Sequence, residues 1–395
     1  MKILLINSLY FPNFIGGAER SVQILAESLV AKGNQVSMIC LAKKDGEAVI
    51  NGVKVYYLKL ANIYWPFGQR HSLLSKISWH VLDIRNRTMA RHAGKIIMAE
   101  QPDVVHTHNL TGFSVAIWKE AKKGNFRIVH TIRDFYLLCF RSSMFKSGRN
   151  CIGQCGTCRL FSFWKKATAS YVDHVVGISD FALKRHRMHG FFNNTPSDVI
   201  YNSFSKEKQI EKIASHKIRF GYIGRLAPTK GVDLLLEAFE EPEIYNKAEL
   251  RIAGEGEEAF VDSLKQRASN SYIHFLGTVL PEDFYSKIDV LVVPSKWHEP
   301  LGRVIFEAYS FGVPVIGSDR GGIPEIINQE STGYVFNPDS TQNLVMEMMR
   351  FIDQPRLARD MSGECMKKAQ EFLPDVIASK YVAIYLDLLQ GETVA

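Results

Sequence analysis

The sequence predicts an α/β protein built from two doubly wound domains, each with its own parallel sheet. Three observations lead there. At 395 residues the chain is longer than one hydrophobic core ordinarily serves. It opens on a strand, a glycine loop, a helix and a second strand, the order of a βαβ unit. A second start of the same kind follows near residue 217.

The elements follow in order. ILLI (3–6) is a short apolar strand, and NSLYFPNFIGGAER is the loop after it. In SVQILAESLVAKG, Val22, Leu25, Ala26 and Leu29 recur at helical spacing and Gly33 is the stop. QVSMICLA (35–42), DVVHTHN (103–109), FRIVHTI (126–132), HVVGIS (174–179) and DVIYNS (198–203) read as further strands of a first sheet. The polar stretch 204–216 reads as a hinge. KIRFGYIG (217–224) then opens the second domain, and VDLLLEAFE (232–240) is a helix with Val232, Leu235, Leu236 and Phe239 inward. ELRIAGEG (249–256), YIHFLG (272–277), DVLVVPS (289–295) and VPVIGS (313–318) are its next strands. Residues 302–311 should form a helix burying Val304, Ile305, Ala308 and Phe311, stopped by Gly312. The expected domains are 1–205 and 206–375, with 376–395 an amphipathic helix returning to the first domain.

Composition narrows the function. The chain is 46% hydrophobic and 23% charged, the balance of an ordinary globular protein. No apolar run reaches the roughly 18 residues of a membrane span. The start MKILLINSLYFP reads as a buried strand, so a cytoplasmic protein is expected. The net charge of +7 conceals an asymmetry. Residues 1–200 hold 27 Lys+Arg against 12 Asp+Glu, or +15, and residues 201–395 hold 21 against 29, or −8. The first half is therefore expected to meet something anionic. No nucleic-acid recognition module accompanies it, so that partner class is set aside.

The second domain concentrates chemistry-bearing residues in SKWHEPLGRVIFEAYSFGVPVIGSDRGGIPEI (295–326). In doubly wound sheets ligands sit beyond the carboxyl ends of the strands. Glu299 lies in the loop after one such strand, and Glu307 lies eight residues on, in the helix. The helix start at Leu301, Gly302 and Arg303 presents N–H groups that favour anions. Carboxylates there would repel a phosphate but accept hydrogen bonds from sugar or ribose hydroxyls. A capping acid plus a surface glutamate is the plain alternative. Arg225 and Lys230, on the glycine-bearing loop after the domain's first strand, are suited to clamp a diphosphate.

Together these stretches resemble the retaining glycosyltransferases of family 4, the group 1 glycosyl transferases of GT-B fold. The segment from Pro294 to Ile327 carries the family's Glu-x7-Glu signature. GRLAPTKGVDLLLEAF and IAGEGEE match its donor-phosphate element and the glycine element that includes Gly254. NSLYFPNFIGGAER matches the usual N-terminal stretch. The resemblance implies two Rossmann-like domains facing a central cleft, donor in the second and acceptor in the first. It implies that Glu307 holds the nucleotide ribose and Glu299 the transferred sugar, helped by backbone N–H groups of Leu301, Gly302 and Arg303. Arg225 and Lys230 would bind the diphosphate and stabilise it as it leaves. Gly16 and Gly17, at a helix start, would let backbone approach donor or acceptor. The anomeric configuration would be retained. No paired carboxylate at a strand end suggests a metal, so no catalytic cofactor is expected.

Three features stand apart from that pattern. Where the family often has His-Asp after a strand, this chain has Arg133 and Asp134. Arg133 could contact donor sugar or phosphate but cannot serve as a base. His108 and Asn109, at another strand end, are further acceptor-side candidates, and His130 is expected to be structural. Cys139, Cys151, Cys155 and Cys158 cluster as C-x11-C-x3-C-x2-C. A structural zinc fits such a set in a reducing compartment; disulfides and unligated thiols stay open. Residues 62–100 mix aromatics with Arg, Lys and His, with Leu73, Ile77, Val81 and Ile84 at helical spacing. They could rest on an anionic membrane surface or simply pack on the sheet. The function expected is transfer of a hexose from a UDP- or GDP-sugar to a saccharide or lipid-linked acceptor in polysaccharide or glycolipid synthesis. A non-catalytic nucleotide-sugar-binding protein of the same fold is the alternative. An oxidoreductase is disfavoured because no G-x-G-x-x-G follows the first strand.

Overall fold

A computed structural model describes every residue except 15, 68–70, 205–211, 214, 269 and 392–395. Most of the expected hinge thus lies outside the described residues. The chain divides into two compact units, Met1–Met144 with Cys151–Ser203 and Pro374–Ala395, and Phe145–Asn150 with Phe204–Leu373. The junctions fall at 203/204 and 373/374, two residues before the expected ones. The short hairpin 145–150, expected in the first domain, groups with the second.

The first unit is built on eight strands: β1 (Lys2–Ile6), β2 (Gln35–Ala42), β3 (Gly46–Ile50), β4 (Val53–Lys59), β5 (Val104–Thr107), β6 (Arg127–Ile132) and, after the hairpin β7 (Phe145–Lys146) and β8 (Arg149–Asn150), β9 (His174–Gly177) and β10 (Ser197–Val199). Their order is β10-β9-β6-β5-β1-β2-β4-β3. All neighbours are parallel except β3 against β4. That edge pair is absent from the sequence reading, although its signal is present. Asn51 and Gly52 join the strands with φ of 48° and 82°, and Asn-Gly is favoured where both turn residues need positive φ.

The strands of parallel sheets are covered on both faces and so read as unbroken apolar runs. The helix Gly17–Ala31 covers one face of β1 and β2 through Val22, Leu25, Ala26 and Leu29. The C-terminal helix Pro374–Gln390 adds Ile377, Ala378, Tyr381, Ile384 and Tyr385 to the same core. This helix lies in the first unit although it follows the second in sequence.

The second unit holds β11 (Ile218–Ile223), β12 (Ala248–Ala253), β13 (Ile273–Gly277), β14 (Val290–Val293), β15 (Val315–Ser318) and β16 (Gly333–Phe336). They form one parallel sheet in the order β13-β12-β11-β14-β15-β16. From β11 the chain winds outward through β12 and β13, then returns to place β14 on the other side. The switch point therefore lies between β11 and β14, where a doubly wound sheet opens a crevice at its carboxyl edge. Buried Arg219 on β11 forks onto Asp289, just before β14, with contacts of 2.9 and 3.0 Å. It fixes the two strands that flank the crevice.

The helix expected at 302–311 spans Arg303–Ser310, with Gly302 before it and Gly312 beyond its end at φ 65°. Its inward residues are Ile305, Phe306, Ala308 and Tyr309. The expected face is thus rotated: Val304 and Phe311 are only partly buried, because Phe306 and Tyr309 fill the space against the rest of the unit. Among the described residues no helix is long and apolar enough to cross a membrane.

Candidate functional site

In the second unit the candidate side chains gather at the switch point. The loop after β11 carries Arg225 and Lys230, and the loop after β14 carries Glu299. Two backbone bonds tie these loops together: Lys296 and Trp297 N–H both donate to Thr229 O, at 2.9 and 3.2 Å. Lys230 Nζ reaches Glu299 Oε1 at 2.6 Å, and the Ser295 hydroxyl donates to the same oxygen. Glu299 is 7% exposed. Burying a carboxylate demands a paired cation and hydrogen bonds, and both are present. Lys230 also lies 5.5 Å from the Trp297 ring centre. Arg225 is exposed, and its carbonyl accepts from Tyr222 Oη at 2.8 Å, which holds the loop rather than the guanidinium.

One helical turn separates Glu307 from Arg303, and the two pair at 2.8 Å. Buried Tyr285 donates its hydroxyl to Val304 O at 3.2 Å, and that hydroxyl is pushed well above its usual range by burial and by the Glu307 carboxylate. Leu301 and Gly302 lead into the helix between Glu299 and this pair.

Two close backbone approaches shape the site. Gly321 has φ 69°, and a Cβ there would lie 1.9 Å from Glu299 O. Its neighbour Gly322 donates N–H to that same carbonyl at 2.8 Å. A Cβ on Gly254, φ 127°, would lie 1.9 Å from Gly224 O. Gly254 thus has a structural reason of its own, the packing of the loop after β12 on the loop after β11. Ser295, Thr229, Trp297 and Gly321, which touch Glu299, Lys230 or their loops, are not among the residues read from the sequence. The Gly-Gly pair at 321–322 was a readable signal; the hydroxyls were not, because Ser and Thr are common in loops.

In the first unit the candidates gather around its own switch point, between β1 and β5. The helix after β1 begins at Gly17 with Gly16 as its cap, and Glu19 accepts from Gly16 N–H at 2.9 Å. Gly16 is extended, at φ −157°, with only the Glu19 carboxylate near its Cβ direction. Ser8 N–H bonds Asn109 O at 2.9 Å, stitching the loops after β1 and β5. His108 Nδ1 accepts from Arg133 Nε at 3.1 Å, and Arg133 Nη1 donates to Asn202 at 2.6 Å. Arg133 is 7% exposed, so its guanidinium serves this buried network first. Burial lowers the pKa of His106 and His108 well below the usual range, so both are neutral near pH 7. His106 bonds Tyr385 and Thr131, each at 2.7 Å. His130 is a buried core residue bonded to Thr107 at 2.9 Å, as expected of it. Asn109 Nδ2 donates to Asp134 at 2.7 Å, and Tyr136 N–H donates to Asp134 at 2.8 Å.

Burial raises Asp134 to about 6. It does the same to Asp83, a buried acid that takes bonds from Gly112 N–H at 2.7 Å and Tyr136 Oη at 2.9 Å. A carboxyl whose folded pKa exceeds its unfolded value binds more protons when folded, so its contribution to stability falls as pH rises between the two values. Asp83→Asn removes that titration while keeping an acceptor. The variant is expected to gain about 3 kcal/mol relative to the parent between pH 4 and pH 6.5, from roughly two pKa units at 1.36 kcal/mol each. Urea unfolding at the two pH values measures it, and an unchanged difference would refute it.

The comparisons with known proteins agree with this arrangement. Residues 203–368 match the family described as Glycosyl transferases group 1, and residues 15–208 match Glycosyltransferase Family 4. The chain is 40% identical over 331 residues to a 42.6 kDa protein of the cps region of Klebsiella pneumoniae, covering 82% of this chain and 87% of that one. It is 31% identical over 374 residues to a glycosyltransferase of Methanocaldococcus jannaschii, covering 86% and 87%. Among solved structures, sucrose-phosphate synthase from Thermosynechococcus elongatus superposes with a TM-score of 0.79 at 20% identity, over 99% of both chains. Anabaena HepE in complex with UDP and glucose superposes with a TM-score of 0.72 at 17% identity, over 98% of this chain and 100% of that one. With two Rossmann-like units, an acid pair spaced as in Glu299 and Glu307, and relatives of this identity and coverage, the chain belongs to glycosyltransferase family 4, with the GT-B fold.

Proposed function

We propose that the protein is a retaining hexosyltransferase that moves a sugar from a UDP- or GDP-sugar to a saccharide or lipid-linked acceptor in cell-envelope polysaccharide synthesis. The observation that carries the reading is the Lys230–Glu299 pair at the β11/β14 switch point, joined at 2.6 Å beside the start of the helix Arg303–Ser310. A cation and a buried acid held together there can serve two parts of one ligand. Lys230 has ammonium protons beyond the one given to Glu299, and with Arg225 these suit a diphosphate. Glu299, fixed by Ser295 and Lys230, suits the hydroxyls of the sugar. Glu307 suits the ribose diol, and backbone N–H groups at Leu301, Gly302 and Arg303 add positive potential.

Catalysis in this reading rests on stabilising negative charge on the departing diphosphate. Lys230, held on Glu299, is preorganised for it and Arg225 adds a second cation on the same loop, so the transfer is read as needing no metal. His108, Asn109 and Asp134 are read as the acceptor side, and Arg133, Gly16 and Gly17 as further contacts for the donor. The cps-region relative supports polysaccharide synthesis as the setting. Leu74, Ile77, Val81 and Leu82 of the helix Leu73–Ile84 are exposed, and the basic balance of residues 1–200 accompanies them. That apolar stripe faces solvent and supports a peripheral contact with an anionic lipid surface, where a lipid-linked acceptor would be met.

Titration calorimetry of the full chain with UDP, GDP and NAD, beside Glu307→Ala, tests the donor site. UDP or GDP is expected to bind, with affinity falling about 10- to 100-fold in the variant, the effect of losing hydrogen bonds to a charged acceptor. Binding of NAD alone, or equal affinity in the variant, would overturn the assignment.

A further inference from the structure

The helix Gly156–Thr168 of the first unit is inverted. It buries Cys158, Ser162 and Lys165, while Leu160, Phe163 and Trp164 are each more than half exposed. A helix lying on a core in water turns its apolar residues inward instead. The i, i+3, i+4 spacing puts the three exposed residues on one face, where they form a ridge. Single exposed apolar side chains are ordinary, but a contiguous set marks a contact surface. The buried Cys158 does not make this helix a metal centre. Among the described residues, which include Cys139, Cys151, Cys155 and Cys158, no group of three or more His, Cys, Asp or Glu side chains could hold a metal ion, which corrects the zinc expected there.

Phe163 borders one cavity and Trp164 another, and both cavities are cationic. The first, of about 510 Å³, is lined by Arg159, Lys166, Arg187 and His189 beside Phe163. The second, of about 180 Å³, is lined by Arg85 and Lys119 beside Trp164, with Arg85 Cζ 5.7 Å from the Trp164 ring centre. No carboxylate lines either cavity among the described residues. The acids of residues 151–200 are engaged elsewhere: Asp173 with Lys122 at 2.6 Å, Asp180 with Lys184 at 2.5 Å and Asp198 with His174 at 2.9 Å. In the larger cavity Gly190, at φ 79°, leaves room for the Lys166 ammonium, which a Cβ there would strike. Arg187 Nη2 donates to Thr195 O at 3.3 Å and to Ser197 Oγ at 2.8 Å. Among the described residues Arg187 Nε and His189 Nε2 are buried without a hydrogen-bond partner. A buried N–H in that state is costly and calls for an acceptor. Burial first, then the charges of Arg185, Arg159 and Lys166, lower the pKa of His189, in keeping with a positive potential that no acid offsets.

We propose that the larger cavity binds the head-group phosphate of an anionic membrane lipid, with Leu160, Phe163 and Trp164 seated at the acyl boundary. Arg and Lys beside exposed Trp and Phe are the side chains that suit a membrane interface, where one end of the contact is apolar and the other charged. A phosphate gives Arg159, Lys166 and the unused Arg187 Nε the acceptor oxygens they lack. The cavity's place in the fold makes this lipid an anchor rather than a reactant. Arg187 is bonded to Ser197, the first residue of β10, so this wall stands at the amino edge of the parallel sheet. The candidate acceptor residues gather at the opposite, carboxyl edge. The inference deepens the lipid contact read for this half of the chain. It is independent of the transfer reading, because binding is measured without turnover.

Co-sedimentation of the full-length chain with phosphatidylcholine vesicles, with and without about 30% phosphatidylglycerol, tests it. The anionic vesicles should bind the chain and the neutral ones should not. Arg159→Gln with Lys166→Gln should weaken binding about 10- to 30-fold, the loss of two cations at an anionic surface. Both side chains are exposed, so the variant should fold. Lys265→Gln with Arg267→Gln makes the same charge change on an exposed helix face of the second unit and should alter binding less than about 2-fold. Phe163→Ser should weaken binding as well. Equal losses in the two charge pairs, equal binding to neutral vesicles, or no binding to anionic ones would overturn the proposal. So would inorganic phosphate or polyglutamate held through Arg159 and Lys166 without vesicle binding, which would assign the cavity to a soluble anion or an acidic protein. If Ile77→Ser with Val81→Ser abolishes vesicle binding and the Arg159–Lys166 pair has no effect, the contact belongs to the helix Leu73–Ile84 and the cavity has no part in it.

Discussion

Lys230→Ala is expected to lower kcat by about 10²- to 10³-fold, the scale seen when one preorganised donor to a developing charge is removed. The same change leaves Glu299 buried with Ser295 as its remaining side-chain partner among the described residues, so stability should fall as well. These two effects separate in the double variant. Lys230→Ala with Glu299→Gln removes the uncompensated charge, so the melting temperature should recover most of what the single variant lost. Activity should not recover, because the cation for the leaving diphosphate is still absent. Restored activity in the double variant would mean that Lys230 acts only through Glu299. The proposed role on the diphosphate would then fail.

Gly321→Ala should be among the most damaging small changes in the second unit. Its φ of 69° carries about 1–2 kcal/mol of strain for any residue with a Cβ. That Cβ would also lie 1.9 Å from Glu299 O, which is backbone and cannot turn aside. Adding overpacking of about 1–3 kcal/mol gives a total of about 2–5 kcal/mol. For a unit of this size the melting temperature should drop by roughly 5–15 °C. Relief requires Glu299 to move, so nucleotide-sugar binding should weaken even at temperatures where the variant is folded. Gly363→Ala is the control: it lies inside the helix Leu357–Ala369 with no atom within 4 Å of its Cβ direction, so it should leave binding unchanged and raise stability by up to about 1 kcal/mol. Normal binding by folded Gly321→Ala would show that the approach of Gly321 to Glu299 does not shape the site.

Much of the architecture was legible because it is local. Apolar runs such as ILLI and DVLVVPS could be read as strands of a covered parallel sheet, and QVSMICLA matches β2 residue for residue. Glycines after β11 and β12, and Gly312 after its helix, marked turns that require positive φ. The Glu299–Glu307 spacing and the Arg225–Lys230 loop could be read as a site because the carboxyl ends of doubly wound strands are where such folds bind ligands. β16 and the antiparallel edge pair were not read, the first because GYVF is too short to distinguish from a loop.

The sequence by itself determined the α/β class, the two βαβ starts, the site loops and the family, since each depends on residues close together in the chain. Tertiary structure decided which side chains meet across long separations. Lys230 and Glu299 are 69 residues apart, and His106 meets Tyr385 across 279. It also decided that Arg133 is buried against His108 and Asn202 and that Gly321 is pressed on Glu299. Such pairings follow from strand order and close packing, and neither spacing nor composition encodes which distant residue will arrive.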